Sequence, residues 1–518
     1  MNDPDTINNA PRWTGALAGL LAAATGVSVG TGLAALLTGV PSPIESVGNQ
    51  AIDHAPPFLK EFAVKNFGTA DKPTLIGGVI MTLAIIAAVA GIVGRTRPKM
   101  AFAIVGLIGL VALFTAAFDR TATANRALTM IPSVVALVAS LSALWFFLDA
   151  LRLAPKAGDE IPSTFNRRRF FQVALGTSAL IVVGGAVGKL FGNAAAAASR
   201  AGIKIGRPAN SSPGIRAGTE IDLKGISKYI TPNREFYRVD TALSIPDVPA
   251  EGWTLKVHGM VDNELNLSFR DLMSMTLVER RITLTCVSNE VGGPYVGNAA
   301  WIGVPVKDIL ARAGVKNGAD AIKTTSADDW TCGTPLQAVT DDRNAIIAIA
   351  MNGEPLPLAH GFPARMVVPG LYGYVSATKW LVDLEVTRFA DFKAYWSTRD
   401  YDAEAPIKMS SRIDVPRSFQ SFQRGAVRVG GVAWAQTKGI KRVEVKVDSG
   451  PWMAADLGTE DNIATWRQWS WKWTDATTGR HTLTVRATDA DGKTQTPDRA
   501  RIRPNGTTGW HSVQFTVN

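Results

Sequence analysis

Asn352-Gly353-Glu354-Pro355-Leu356-Pro357-Leu358-Ala359-His360-Gly361-Phe362-Pro363-Ala364-Arg365-Met366-Val367-Val368-Pro369-Gly370 decides how the second half of this chain is read. Asn352-Gly353 is a tight-turn signal, the prolines that follow make a loop, and Met366-Val367-Val368 leads out as a strand. The next loop carries Gly373, Ser376, Thr378, Lys379 and Trp380. Such an array can grip an anionic, polar cofactor. Arg365 offers a planar fork of donors, Lys379 a point charge, and backbone amides and hydroxyls complete a cradle. The competing reading is an ordinary surface loop with a charged rim.

Upstream, Thr283-Leu284-Thr285-Cys286-Val287-Ser288-Asn289-Glu290-Val291-Gly292-Gly293 runs from an apolar strand into a polar, Gly-rich loop. A lone cysteine at a strand end is usually a small buried hydrophobe. As a thiolate, however, it is a soft ligand for a transition metal, and a strand-to-loop junction would hold it rigidly while leaving the metal open to substrate. No neighbouring Cys or His offers zinc-like spacing, so a metal at Cys286 needs ligands from outside the protein. With only Cys286 and Cys332 in the chain, a disulfide framework is excluded and a single bridge stays open.

Around these segments the pattern is α+β. Strand-like runs, Trp253 to Val257 and Ala348 to Met351, are interspersed with short helices: one opened by Ser268 and Asp271 as a capping box, another from Pro305 to Ala313 stopped by Gly314. No regular strand-helix alternation suggests a doubly wound sheet. From about Ser411 the reading becomes all-β. Val443, Val445 and Val447 alternate with polar residues before Ser449-Gly450, and Leu483, Val485 and Ala487 before Asp491-Gly492, as in a β-sandwich. Trp466, Trp469, Trp471 and Trp473 read as packing residues of that unit or of a subunit contact.

Taken in order, these motifs resemble the sulfite oxidase family. Asn352 to Gly370 looks like its pterin-binding core. Cys286-x-x-Asn289 and Trp301-Ile302-Gly303-Val304-Pro305 fall upstream as expected, and Glu235-Phe236-Tyr237-Arg238-Val239-Asp240 resembles the family's Phe-x-Arg-x-His element. The likeness spans about Leu223 to Val386. It implies a molybdenum-molybdopterin cofactor, with Cys286 as metal ligand and catalytic residue. It implies Phe236, Tyr237 and Arg238 around the pterin, His360 and Arg365 on its polar groups, Ser376, Thr378 and Lys379 near its phosphate, and Asp329 as a further contact. The terminal β-unit then corresponds to an immunoglobulin-like dimerisation domain, which implies a homodimer. Two departures stand out. Asp240 occupies the usual His position, and Glu290-Val291 replace an Arg pair that helps bind sulfite. An acid there repels an anionic substrate by on the order of a few tenths to a few kcal/mol, depending on burial.

The first 192 residues are a different kind of sequence. Thr14 to Val40, Pro73 to Gly94, Ala101 to Phe118, Met130 to Leu148 and Phe170 to Gly188 carry no charge, and each is close to the roughly 20 residues that span a hydrocarbon core. Arg95, Arg97 and Lys99, then Arg152, Lys156, Arg167, Arg168 and Arg169, mark two connections as cytoplasmic. The N-terminus is therefore expected inside and the chain after Gly188 outside. Asn166-Arg167-Arg168-Arg169-Phe170-Phe171-Gln172 resembles a twin-arginine signal for export of folded proteins, and Ala194 to Ala198 reads as either a cleavage site or a tether.

The expected organisation is residues 1–160, four transmembrane helices; 161–200, the signal and fifth helix; 201–220, a linker; 221–395, the α+β molybdopterin domain; and 396–518, the immunoglobulin-like sandwich. The net charge of +10 is scattered, with no basic stripe interleaved with aromatics, which argues against nucleic acid. None of the five histidines lies in an expected span and there is no four-Cys pattern, so haem or iron–sulfur relays within the chain are not expected. Electrons then come from or go to an external carrier, a cytochrome or a membrane quinone. The expected activity is extracytoplasmic two-electron oxygen-atom transfer on a small S-oxide, N-oxide or related substrate, from a bacterial cytoplasmic membrane whose lipid surrounds the anchor. The alternatives are a sulfite dehydrogenase and, outside enzymes, a membrane receptor or adhesion protein.

Overall fold

The apolar runs fold as long helices in the computed structural model, which describes residues 11–56, 59, 71–122, 124–151 and 167–518. These are α1 (Arg12–Ala35), α3 (Asp71–Gly94), α4 (Pro98–Ala117), α5 (Arg126–Leu151) and α6 (Arg167–Phe191), separated after α1 by the short α2 (Pro43–His54). Among the described residues, five helices are long and apolar enough to cross a membrane. All five helices begin before their uncharged runs, whereas α1 stops at Ala35, short of Val40, and α4 at Ala117, short of Phe118. Asn166, Arg152 and Lys156 lie outside the described residues. The Ala-rich stretch is itself helical, in α7 (Ala194–Gly202).

Small residues on α1 let its neighbours approach to backbone contact. A Cβ on Gly19 would lie 1.9 Å from the Ala87 carbonyl oxygen of α3, and one on Gly184 of α6 would lie 2.3 Å from that of Ser28. Close backbone packing of this kind is favoured where small residues line the contact between long apolar helices. Helix α2 is too short and amphipathic for a search aimed at long apolar runs, although its start is written in the sequence. Ser42 and Glu45 form a capping box, with the Ser42 amide donating to Glu45 Oε2 at 2.8 Å.

The β-rich unit comprises residues 199–239 and 248–518, while residues 1–198 and 240–247 form the helical one. Its first part has two sheets. One is mixed, in the order β2 (Leu265–Ser268), β1 (Thr254–Gly259), β10 (Leu381–Thr387), β5 (Ala321–Ser326), β6 (Thr331–Pro335), with β1 parallel to β10. The other is antiparallel, β3 (Val278–Thr285), β4 (Val296–Pro305), β7 (Ile346–Met351), β8 (Glu354–Pro355), with β9 (Arg365–Val367) also on β7. Strand β7 is buried throughout. The expected helices form as α8 (Phe269–Ser274), with its Ser268–Asp271 capping box, and α9 (Val306–Ala313), ended by Gly314 at φ 71°.

The C-terminal part packs two sheets over one core, and its further strands are β11 (Ser410–Val415), β12 (Ser421–Phe422), β15 (Met453–Ala454), β16 (Asp456–Leu457) and β19 (His511–Val517). Val427, Val429, Ala433 and Trp469 come from β13 (Val427–Trp434) and β17 (Arg467–Trp473), and Val443, Val445, Leu483, Val485 and Ala487 from β14 (Ile440–Val447) and β18 (Gly479–Asp489). The period-two alternation in these strands is therefore the inward face. The loop before β17 grips β3. Arg281 makes a bidentate pair with Asp461, both bonds 2.6 Å, with side chains 8% and 3% exposed. Tyr229 also donates to Asp461 at 2.8 Å, and the Trp466 amide donates to Thr283 at 2.8 Å.

Removing one member of a buried, hydrogen-bonded pair leaves an uncompensated charge. Arg281→Met is expected to lower unfolding free energy by about 3–5 kcal/mol, and Arg281→Met with Asp461→Leu to recover part of that loss. Denaturation of the purified chain, followed by tryptophan fluorescence, measures both.

Candidate functional site

Strand β3 delivers Cys286 at its end. The antiparallel partner β4 starts at Val296, and the Cys286 amide donates to the Tyr295 carbonyl at 2.9 Å, so the loop between them is closed immediately beyond the cysteine. Asn289 braces the loop: its side-chain oxygen accepts from the Tyr295 amide at 2.8 Å, and its carbonyl accepts from Thr507 at 2.9 Å. Cys286 is 8% exposed and its thiol pKa is raised by burial, against hydrogen bonds from Ser288 that lower it. Both Cys286 and Cys332 are free. Tyr237 and Tyr372 lie within electrostatic reach of Cys286.

The second wall comes from the turn and loop between β7 and β9. Asn352, in left-handed backbone at φ 52°, ties three segments together: its oxygen accepts from Ala300, and its amide donates to the Thr231 carbonyl and the Asn233 side chain. His360 sits beyond it, 3.1 Å from the Asn233 carbonyl. Phe236 packs edge-on to both His360 and Trp301, at 5.6 and 5.7 Å, and stacks on Tyr237. Arg365 lies 5.0 Å from the Trp301 ring centre.

The charges here are of one sign. His360 has its pKa depressed to about 4, first by burial and then by Arg365 and Lys379, with Arg238 adding to the effect. Arg365, 5% exposed, gives its hydrogen bonds to the carbonyls of His360 (3.0 Å) and Ala377 (3.4 Å). Among the described residues its Nε has no partner and no carboxylate pairs with it, and burial pushes its pKa down to about 10. Lys379, 9% exposed, donates to the Ala359 carbonyl at 3.2 Å. A buried guanidinium satisfied only by carbonyls, with a donor left over and further cations in reach, matches an anionic group with several acceptors. The residues present therefore fit a phosphate-bearing pterin.

The structure thus brings together Phe236, Tyr237, Arg238, His360, Arg365 and Lys379, with Cys286 reached through Tyr237. The remaining candidates face elsewhere. Ser376 Oγ is engaged by the carbonyls of Leu371 and Tyr372, both at 3.0 Å. Thr378 Oγ1 bonds Thr324 Oγ1 at 2.6 Å among buried polar groups that include Cys332 and Thr334. Asp329 is exposed in the turn between β5 and β6, at φ 59°, whereas its neighbour Asp328 is 2% exposed and accepts from Ser326.

Comparison with known proteins agrees with this geometry. The family model for the oxidoreductase molybdopterin binding domain matches residues 242–396. Human mitochondrial sulfite oxidase is 30% identical over 366 residues, which is 60% of this chain and 65% of that protein. An uncharacterized oxidoreductase of Bacillus subtilis, YuiH, is 34% identical over 176 residues, 33% of this chain and 85% of that one. The chain belongs to the sulfite oxidase family of molybdopterin-dependent oxidoreductases. Among solved structures, the sulfane dehydrogenase SoxCD from Paracoccus pantotrophus is similar at 23% identity over 57% of this chain and 85% of that one, with a TM-score of 0.49. The chain spans just under two thirds of the length of human sulfite oxidase.

The cofactor of this sulfite oxidase family member is accordingly molybdenum-molybdopterin. The matched region begins after Phe236, Tyr237 and Arg238, and the structure sets Phe236 beside His360 and Tyr237 within reach of Cys286. Asn233, Asn352 and Tyr372 escaped the sequence reading as site residues. Asn352 carried a signal, because a non-glycine before Gly at a turn is suited to left-handed backbone. Its side chain's role as a brace needed tertiary partners to become visible.

The depressed histidines give a pH signature. His360 and His511 both have folded pKa values of about 4 against 6.5 in the unfolded chain, chiefly through burial. Their contribution is fully present above pH 6.5. It is lost progressively as pH falls from 6.5 toward 4, where the unfolded state binds protons that the folded state does not. Melting temperature should therefore fall between those values, and His511→Gln should flatten the decline.

Proposed function

We propose that the chain is a membrane-anchored extracytoplasmic oxidoreductase that performs two-electron oxygen-atom transfer on a small S-oxide, N-oxide or related substrate. The observation that carries this reading is Arg365, buried without a counter-charge beside His360 and in reach of the element that holds Tyr237. When bound, molybdenum-molybdopterin supplies the oxygen-atom transfer and the two-electron redox change. Cys286 is its thiolate ligand. Phe236, Tyr237 and Arg238 flank the pterin, His360 and Arg365 hold its polar groups, Lys379 offsets phosphate charge, and Asp329, Ser376 and Thr378 border the same segments.

Burial holds the free Cys286 as a thiol, so metal binding must displace its proton. At its low pKa His360 stays neutral near pH 7, and can donate a hydrogen bond without adding a further full charge. The overall balance is substrate oxide plus two electrons and two protons giving reduced substrate and water. The electrons come from an external cytochrome or quinone.

The five apolar helices support anchoring in a bacterial cytoplasmic membrane with its lipid, the N-terminus inside and the β-rich unit outside. Arg167 and Arg168 serve as the twin-arginine signal. The terminal two-sheet unit acts as an immunoglobulin-like module through which two copies pair. A second reading, sulfite dehydrogenase, is favoured by the likeness to sulfite oxidases. Against it stands Glu290, exposed in the Cys286 loop where sulfite-binding enzymes of the family carry Arg.

Purified chain from a molybdenum-replete host should carry about one molybdenum and one pterin per chain; absence of both sinks the proposal. A screen of oxides with a reduced artificial donor, and of sulfite with an artificial acceptor, decides between the two readings. Cys286→Ser should lower turnover at least roughly 100-fold, consistent with loss of a direct ligand rather than of a surrounding group.

A further inference from the structure

Residues 370–373, 405–408 and 505–507 are distant in sequence, yet they meet beside the Cys286 loop, all within the β-rich unit. The first two run antiparallel. The Tyr372 amide donates to the Ala405 carbonyl and the Ile407 amide to the Gly370 carbonyl, both at 2.9 Å, and Leu371 is bridged to Pro406. Gly506, at φ 92°, presses against the Tyr372 ring, where a Cβ would lie 2.6 Å from the phenol oxygen. Its neighbour Thr507 holds the Cys286 loop at the Asn289 carbonyl. From the other tyrosine neighbour, Gly373, a Cβ would lie 3.8 Å from the carbonyl oxygen of Thr285, the residue before Cys286.

Lys408 stands at this junction. Its backbone amide donates to the Tyr372 phenol oxygen at 3.4 Å, and its partly buried ammonium donates to the Gly506 carbonyl at 2.7 Å. An ammonium carries several donors, and among the described residues this carbonyl takes one of them. Asp402, whose charge it feels, has its own carboxylate engaged by Asn505 at 2.6 Å. Arg365 and Lys379 turn to the carbonyls of Ala359, His360 and Ala377, within the cofactor cradle. Lys408 turns instead to the segment that grips the Cys286 loop. A partly desolvated cation there, with donors to spare, suits an anionic oxygen arriving at the metal rather than the pterin.

We propose that Lys408 is a specificity-determining residue that meets an anionic group of the substrate beside Cys286, so that negatively charged oxides are preferred to neutral ones with the same reacting centre. This rests on the reading of Cys286 as the metal ligand of an oxygen-atom transferase.

The test uses the full chain in lipid nanodiscs as wild type, Lys408→Met and Lys408→Arg. Two sulfoxides that differ by a carboxylate, methylsulfinylacetate and dimethyl sulfoxide, are assayed with a reduced artificial donor. Wild type should have the lower KM for methylsulfinylacetate. Lys408→Met should raise that KM about tenfold or more, with kcat held within about twofold and the KM for dimethyl sulfoxide unchanged. Lys408→Arg should keep the preference. Separately, acetylation of Lys408 by acetic anhydride, followed by peptide mass spectrometry, should be slowed by sulfate in the wild-type chain, while exposed Lys472 on β17 is unaffected. Equal KM changes for the two sulfoxides assign the residue to structure and overturn the proposal, as do an unchanged KM for both, loss of the preference in Lys408→Arg, or labelling that sulfate does not slow. The labelling needs no variant, so it decides even where Lys408→Met fails to fold. If the molybdenum-loaded wild-type chain turns over neither sulfoxide, the functional reading fails, while sulfate protection still decides whether Lys408 receives an anion.

Discussion

A guanidinium buried without a carboxylate is the constraint around which the site is built. Arg365 is carried into the interior because β9 pairs with fully buried β7, with Ala348 opposite Arg365 in the register. Having brought it there, the protein gives it carbonyl oxygens and the face of Trp301 but, among the described residues, no counter-charge. Left so, it is an expense to the fold, since burying charge without pairing is unfavourable. The same environment makes it a strong, pre-oriented receptor, because an anion arriving there meets donors already desolvated and aimed. His360, kept neutral first by burial and then by its cationic neighbours, adds polarity without worsening the repulsion.

The Cys286 side obeys a different logic, rigidity rather than charge. Cys286 sits where β3 stops, and the position of β3 is fixed from two directions. β4 pairs with it along its full length, and the loop before β17 seizes Arg281 and Thr283 from the C-terminal sheets. The loop beyond the cysteine is held as well, by Asn289 to Thr507 and by Arg412 to the Gly293 carbonyl at 3.0 Å. The terminal two-sheet part therefore contributes to the geometry of the Cys286 loop within a single chain, independently of any role between chains.

What was legible in the sequence divides along the range of the interactions involved. Local signals survived: the capping box at Ser268, the stop at Gly314, the inward alternation of Val443 and Val445, and the long apolar runs all follow from neighbours in sequence. The order of motifs also singled out Cys286, His360 and Arg365, of which Arg365 bonds the His360 carbonyl and Cys286 is reached through Tyr237. The directions of hydroxyls were not legible. Ser376 and Thr378 lie in the expected loop, yet one turns to nearby carbonyls and the other to Thr324, because a short polar side chain takes the closest acceptor that the fold offers. The brace at Asn352 was hidden for the opposite reason. Its partners Ala300, Thr231 and Asn233 are far away in sequence, and only the meeting of β4, β7 and the segment before Phe236 creates them.

The two departures from the family pattern can be weighed by their surroundings. Glu290 is exposed, so water screens its charge and its repulsion of an anion falls toward the lower part of the range that such an acid exerts. Substitution of the Arg pair matters more through the attraction it removes than through the repulsion it adds. Asp240 is the reverse case: it is buried and its charge is answered by Lys72. The Asp240 charge is thus answered by Lys72, whereas none of the described interactions at Glu290 supplies a cation. On the proposed function, the cofactor cradle keeps its electrostatic character while the substrate side changes, and that asymmetry separates the shared cofactor chemistry from the choice of substrate.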